Sequence, residues 1–133
     1  MKKMLILCCL ILFLASMALL GCATAPPGPP KPGVPRISNL VVPKTVTLGV
    51  SFPISFQFED SEADIKTVTY EWSWGPGGFE SHTYDARIFG KDTGIFVGKL
   101  FPGKLPDIFY LAVYVTDAKG NRSNTLRTSI FTK

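Results

Sequence analysis

The chain has few residues from which a covalent framework could be built. Only three of its 133 residues are cysteines, and Cys8 and Cys9 both lie in an apolar N-terminal run. Cys22 is therefore the only cysteine in residues 22–133. This excludes a disulfide within that part of the chain, so the stability of a folded domain there has to come from its hydrophobic core.

The sequence also lacks the patterns of common enzyme classes. It has no phosphate-binding loop, no glycine-rich dinucleotide motif and no nucleophile elbow. His82 is the only histidine, and its neighbours Ser81 and Thr83 are typical of an exposed strand. Neither a histidine metal site nor a Ser-His-Asp triad is indicated. We expect a protein without catalytic activity and without a cofactor.

A strong excess of one charge is missing as well. Lys2 and Lys3 are two of the 14 basic residues, and without residues 1–21 the remaining 12 face 10 acidic residues. A net charge of about +2 with no basic cluster gives no indication of a nucleic-acid partner.

The N-terminus has the organisation of a secretory signal: basic residues, an apolar run over residues 4–20, and the small residue Gly21. The segment Leu19-Leu20-Gly21-Cys22 resembles the lipobox of bacterial lipoproteins. The resemblance implies cleavage between Gly21 and Cys22, a diacylglyceryl group on the Cys22 thiol and acylation of the new amino terminus. Two or three acyl chains hold a protein stably on a membrane. The alternative is an uncleaved anchor, although this run is at the short limit for a spanning helix.

The residues after the cysteine bear on location and reach. In the lipoprotein family an Asp at that position retains the protein in the inner membrane of Gram-negative cells, whereas Ala23 follows here. The resemblance therefore implies a lipid-anchored protein of the cell envelope, in the outer membrane where the cell has one. Residues 25–35 read APPGPPKPGVP, which predicts an extended polyproline spacer of roughly 30–35 Å or a disordered linker.

Alternation of apolar and polar residues dominates the chain after residue 36. Every second residue is apolar from Phe52 to Phe58, from Val68 to Trp74 and from Phe109 to Val115, so each run has one face suited to a core. Turn signals separate the runs. The pattern predicts an all-β sandwich, with strands near 37–42, 45–48, 51–58, 65–74, 79–87, 93–101, 107–117 and 122–131.

Pro53 lies on the polar side of the run from Phe52 to Phe58. A proline has no N–H to donate to a neighbouring strand. This position therefore predicts an edge strand or a local bulge.

The segment FYLAVYVTDAKGNRSN, residues 109–124, resembles the last two strands and their turn in bacterial immunoglobulin-like and fibronectin type III-like domains. The resemblance implies one antiparallel β-sandwich of about seven strands over residues 37–133, after a signal peptide at 1–21 and a lipidated linker at 22–36. It also implies that Trp72 or Trp74 is the core tryptophan of the third strand. Phe109 occupies the tyrosine-corner position and has no hydroxyl for the bond made there.

The first candidate site is acidic and comprises Glu59, Asp60, Glu62, Asp64 and Asp117. In such a sandwich the loop after the second strand and the last hairpin lie at the same end. Asp60, Asp64 and Asp117 could then converge on calcium, which prefers oxygen ligands. The alternative, which we prefer, is a solvated loop in which Asp60 makes a turn and Asp117 supports the hairpin.

The second candidate site is aromatic and comprises Tyr70, Trp72, Trp74, Phe79 and Tyr84. Exposed rings on a sheet could stack on sugars. Alternation places the first three of these residues on one face, which favours a role in the core instead.

The third candidate is an outward-facing group in which the small Ala112 lies between Tyr110 and Tyr114. Tyrosine is enriched at binding surfaces, so this group could be a contact patch. Ordinary cross-strand packing is the alternative. These features predict an envelope-anchored interaction or scaffold module with a protein partner. The alternative is an adhesion module that binds calcium or carbohydrate.

The lipidation prediction is tested by Cys22→Ser, which removes the thiol that receives the lipid. We expect the variant to remain unprocessed or to move to the aqueous phase in detergent phase partition, whereas the wild-type chain stays in the detergent phase. An unmodified Cys22 in the intact mass of the mature wild-type protein would contradict the prediction.

Overall fold

A computed structural model describes residues 31–103 and 107–133. The predicted signal peptide and signal helix (1–21), the lipidation site Cys22 and most of the linker lie outside the described residues. The described part contains eight strands and no helix. The strands are β1 Arg36–Val41, β2 Thr45–Val46, β3 Phe52–Glu59, β4 Ile65–Trp74, β5 Gly78–Asp85, β6 Thr93–Leu100, β7 Ile108–Asp117 and β8 Leu126–Thr132.

The strands form two sheets, which confirms the prediction of an all-β sandwich. The small sheet has the order β1-β3-β6, and the large sheet has the order β2-β8-β7-β4-β5. Within the described residues no helix is long and apolar enough to cross a membrane.

The prediction of an antiparallel sandwich of about seven strands is corrected at one strand pair, β2 with β8. The chain pairs with β3 in the small sheet as β1 and then pairs with β8 in the large sheet as β2. The β2–β8 pair is parallel, whereas the other strand pairs are antiparallel. Pro43 lies between the two segments and cannot donate a backbone hydrogen bond, so the chain changes sheets there. The Lys44 carbonyl then accepts the Phe131 N–H at 2.9 Å.

The inner faces of the two sheets form one hydrophobic core, and the face assignments made from alternation are confirmed. Trp72 is only 4% exposed and makes edge contacts with two rings. Its ring centre lies 5.2 Å from that of Phe109 in the large sheet and 6.2 Å from that of Phe52 in the small sheet. The fully buried residues Leu111, Val113, Val115 and Ile130 also belong to the large-sheet side of this layer.

Pro53 occupies a different place from the one predicted. Its strand, β3, is the central strand of the small sheet and not an edge strand. The β1–β3 register ends at the Val41–Ser55 pair, so Pro53 lies where β3 has only β6 as a neighbour. The irregular pairing of this region is on β1, between Ser38 and Val41. The missing N–H is tolerated because that end of a central strand is locally an edge.

The N-terminal strand is tied to the β7–β8 connection by Asn124. The Asn124 side chain accepts a hydrogen bond from the Ile37 N–H at 2.9 Å and donates one to the Ile37 carbonyl at 2.8 Å. An amide side chain can satisfy both groups of one residue, as a neighbouring strand would. This contact holds β1 at the end of the sandwich where the acidic residues lie.

The core assignment predicts unequal effects for two neighbouring residues of β4. Removing a large buried aromatic side chain costs about 3–5 kcal/mol, so Trp72→Ala should lower the free energy of unfolding by about that amount. Glu71 points to the outer face, and Glu71→Ala should change it by less than about 1 kcal/mol. Urea denaturation followed by far-UV circular dichroism measures both. Equal losses would show that Trp72 does not carry the inter-sheet packing.

Candidate functional site

The acidic residues of the β3–β4 loop and the β7–β8 hairpin meet at one end of the sandwich. Ile65 pairs with Asp117, and the Ala118 N–H donates to the Asp64 carbonyl at 3.0 Å. As a result, one carboxylate oxygen from each of Glu62, Asp64 and Asp117 lies within 4.8 Å of the others. We call these three residues the acidic cluster.

Asp60 has its carboxylate turned toward its own loop. The side chain is buried, and its two oxygens accept hydrogen bonds from the Glu62 N–H at 3.2 Å and the Asp64 N–H at 2.9 Å. The Asp60 carbonyl also accepts a bond from the N–H of Ala63, which has a positive φ of 55°. Asp60 therefore shapes a tight turn, and it is not a member of the acidic cluster.

Asp117 organises the β7–β8 hairpin in a similar way. One carboxylate oxygen accepts the Lys119 N–H at 2.9 Å and the Asn121 N–H at 2.7 Å, and the other accepts the Asn121 side-chain amide at 2.8 Å. Gly120 has a φ of 87°, a conformation that glycine adopts without strain. The residues Asp117, Gly120 and Asn121 thus have the turn-forming roles that the sequence motif indicates.

Asp64 is the member of the acidic cluster that has a buried, unpaired carboxylate oxygen in the described structure. Its Oδ1 is buried, and no hydrogen-bond partner for it exists among the described residues. Burial raises the pKa of Asp64, and the nearby charges of Asp117, Asp60 and Glu62 raise it further. The ionised carboxylate is therefore less stable in the folded chain than in water.

Lys119 supplies a positive charge to the cluster. Its Nζ lies 2.6 Å from a carboxylate oxygen of Glu62, and this hydrogen bond raises the pKa of Lys119. No local sequence pattern indicates this ion pair, because 57 residues separate the two side chains. The geometry has room for a cation, but the lysine ammonium already neutralises part of the negative charge that would attract one.

A second candidate surface lies on the outer face of the large sheet. Phe79, Ser73, Tyr110 and Ser129 form one cross-strand row there, and Glu71, Ala112 and Arg127 lie in the next row. Phe79 is 61% exposed and Tyr110 is 58% exposed. These residues line an open concavity of about 560 Å³. We call it the outer-face concavity.

Tyr114 does not contribute a free ring to this surface. The Arg122 guanidinium lies over it, 3.4 Å from the ring centre, in a cation–π contact. Tyr114 shares its cross-strand row with Thr69 and Thr83, whose hydroxyl groups lie 2.9 Å apart. The predicted patch of Tyr110 and Tyr114 is thus reduced to the Tyr110 half, and Phe79 of β5 extends it on the other side of Ser73.

The remaining aromatic residues divide between the core and the surface. Tyr70 and Trp72 are buried, and Trp74 packs against the core. Tyr84 is 53% exposed on β5, where it stacks on His82 with ring centres 6.4 Å apart. His82 is exposed as expected, 3.4 Å from Glu80. The predicted aromatic group therefore does not form one surface.

Comparison with known proteins identifies the fold and no family. No protein-family model matches the chain, and no curated protein matches its sequence. Among solved structures, the chain is similar to a Niemann-Pick type C2 protein from the Japanese carpenter ant, with a TM-score of 0.55. The sequence identity is 11%, and the match covers 77% of this chain and 96% of that one. At this identity the likeness shows an all-β sandwich fold alone.

The environment of Asp64 predicts a pH-dependent gain in stability on removing its charge. Because its pKa is raised in the folded state, ionisation destabilises the fold above about pH 4, and this penalty disappears as the pH falls and the carboxyl is protonated. Asp64→Asn should therefore raise the melting temperature at pH 7 and lose this advantage toward pH 3. The control is Asp92→Asn, which removes an exposed carboxylate outside the cluster. An Asp64→Asn protein less stable than wild type at pH 7 would contradict this.

The same variant tests whether the acidic cluster holds calcium. A bound ion would stabilise the folded state by RT ln(1 + [L]/Kd), where [L] is the free calcium concentration. We expect millimolar calcium to change the melting temperature no more than magnesium does, because Lys119 already pairs with Glu62. A calcium-specific rise in wild type that is absent from Asp64→Asn would instead establish a cation site.

Proposed function

We propose that this chain is a lipid-anchored protein of the cell envelope and that its sandwich is a non-catalytic module that binds another envelope protein. The anchor is inferred from Leu19-Leu20-Gly21-Cys22 and the proline-rich spacer that follows. The observation that carries the binding role is the outer-face concavity, where apolar rings are exposed on an ordered sheet.

The sandwich is of the immunoglobulin-like type in this proposal. In constant-type immunoglobulin domains, strands A, B and E share one sheet and strands C, F and G share the other. Strands β1, β3 and β6 correspond to the first set, and β4, β7 and β8 correspond to the second. The buried Trp72 on β4 occupies the place of the strand C tryptophan. The open face made by β5, β4, β7 and β8 then carries the binding surface.

The chemistry of the outer-face concavity favours a protein partner. Ala112 forms the floor between Glu71 on β4 and Arg127 on β8, and Tyr110 and Phe79 lie to one side. Exposed aromatic rings beside a small residue and charged groups are typical of protein interfaces, in which Tyr, Phe and Arg are enriched. The small Ala112 leaves room for one side chain of the partner.

A carbohydrate is the second candidate ligand, because the exposed rings of Phe79 and Tyr110 lie on the same face and flank Ser73. A sugar would bind by stacking on these two rings and would not need the space above Ala112. The two candidates therefore differ in their dependence on Ala112.

Site-specific photo-crosslinking in intact envelopes tests the proposal. A photoreactive residue at position 110 should give a discrete protein adduct. The same residue at position 84 should not, although Tyr84 has a similar exposure. Ala112→Arg should reduce the yield of the adduct at least tenfold, because the larger side chain would fill the concavity. The control Val50→Arg, in the turn before β3, should leave the yield unchanged.

Other results would contradict a binding role for the concavity or favour the carbohydrate candidate instead. Equal adducts at positions 84 and 110, or an adduct that persists in Ala112→Arg, would contradict a binding role for the concavity. Retention on a polysaccharide matrix that is lost in Phe79→Ala, with no adduct at position 110, would favour the carbohydrate candidate.

A further inference from the structure

Three of the four sheet edges in the described structure carry features that discourage pairing with another chain. β1 is interrupted between Ser38 and Val41, with Asn39 at a positive φ of 51°. β2 has only two residues. β5 carries Glu80, His82 and Asp85 along its length. Interruptions, short edge strands and charged side chains are the usual protections of exposed edges.

The remaining edge, β6, lacks these protections. It runs for eight residues, TGIFVGKL, without a break in its pairing to β3, and Lys99 is its one charged residue. Ile95 is 64% exposed and Val97 is 72% exposed on the outer face of the small sheet. Among the described residues, no backbone hydrogen bond outside the strand ladders reaches residues 94–100. The β6 edge therefore presents unused donors and acceptors beside exposed β-branched side chains.

The residues of β6 are nearly symmetric about Phe96. Gly94 and Gly98 lie two positions on either side of it, and Ile95 and Val97 lie one position on either side. We propose that β6 pairs antiparallel with β6 of a second copy of this chain, with Phe96 opposite Phe96. This register places Ile95 opposite the second copy's Val97, and Gly94 opposite its Gly98. The small sheets of two copies then form one continuous sheet with twofold symmetry.

On the outer face of the joined sheet, the contact brings exposed apolar side chains of the two copies together. Val41, Ser55 and Val97 form one cross-strand row in each copy, and the second copy's Ile95 extends that row. Cross-strand pairs of β-branched residues stabilise antiparallel sheets. The contact therefore adds two Ile–Val pairs, related by the symmetry axis, to a face that already carries Val41.

The charges near the ends of β6 are complementary in the same register. Glu59 pairs with Thr93 across β3 and β6, and Thr93 would lie opposite the second copy's Lys99. The lysine is then two strands from the glutamate, about 10 Å between Cα atoms, with only a threonine between them. Neither Glu59 nor Lys99 forms an ion pair within the described structure. The twofold axis produces this pair twice.

The inner face of β6 fits the arrangement as well. The Phe96 ring stacks on Phe56 with centres 4.9 Å apart and remains partly exposed, so the second copy's Phe96 would cover it. A Cβ on Gly94 or Gly98 would lie 2.9 Å from the ring of Phe58 or Phe96, respectively. A side chain at either position would require the nearby ring to move. In the proposed register each glycine lies opposite a glycine, so no side chains oppose each other there.

Cysteine cross-linking tests the register in the full chain. In a Cys8→Ser, Cys9→Ser background, Ile95→Cys combined with Val97→Cys should form a disulfide-linked dimer on mild oxidation in membranes. Either single variant should give at least tenfold less, because its cysteines are diagonal neighbours about 7–8 Å apart, beyond ordinary disulfide reach. The matched control is His82→Cys with Tyr84→Cys on β5, which should not cross-link.

Each other result would overturn the proposal. Absence of a dimer in the double variant excludes β6 pairing with Ile95 opposite Val97. Cross-linking of a single variant as strong as that of the double variant excludes the register centred on Phe96. Equal cross-linking through the β5 cysteines would show that the disulfides form in random encounters between copies and not in a specific contact.

A charge exchange provides an independent measurement. Sedimentation of the full chain in detergent, with micelles in excess over protein, should show a dimer whose dissociation constant rises at least tenfold in Lys99→Glu. Adding Glu59→Lys should restore most of the affinity, because the exchanged pair is again complementary. Val97→Lys should also weaken the dimer, whereas Val50→Lys should not. A wild-type monomer at all concentrations, or no recovery on charge exchange, would contradict the contact.

Discussion

The packing of Trp72 between the two sheets is the interaction on which the rest of the structure depends. Its ring meets Phe109 within the large sheet and Phe52 across in the small sheet. The described domain has no cysteine, so no disulfide shares the task of joining the sheets. The stabilisation has to come from burying large apolar side chains, for which the two inner faces supply an unbroken layer.

The acidic end shows how the loops are fixed once that core is in place. Asp60 and Asp117 are buried, but the carboxylate oxygens of each accept hydrogen bonds from the backbone N–H groups of its own turn. Buried carboxylates are tolerated where such bonds replace water. The buried Oδ1 of Asp64 has no such partner among the described residues, and burial together with the charges of Asp117, Asp60 and Glu62 raises the pKa of this carboxyl. Turn formation explains the positions of Asp60 and Asp117, and the unfavourable ionisation of Asp64 is the local electrostatic cost.

The two outward-facing surfaces differ in the kind of contact that they can make. The outer-face concavity offers side chains, with rings beside a small floor residue and opposite charges on either side. The β6 edge offers backbone hydrogen bonds together with Ile95 and Val97. They belong to different sheets, so in this proposal the chain can pair through one and bind a different protein through the other. Both uses leave the core unchanged.

Local sequence determined the strands, their faces and the turns, because alternation and turn chemistry act between residues close in the chain. The run from Val68 to Trp74 specified which side of β4 is buried, and Asp117-Ala118-Lys119-Gly120-Asn121 specified its hairpin. Only the tertiary structure decided the parallel pairing of β2 with β8, the central position of the strand containing Pro53, the Lys119–Glu62 ion pair and the cover of Arg122 over Tyr114. The first three of these depend on which distant segments become neighbours. The Arg122–Tyr114 contact depends on the path of the chain after β7. The alternation within a single strand carries no information about that path or about which distant segments become neighbours.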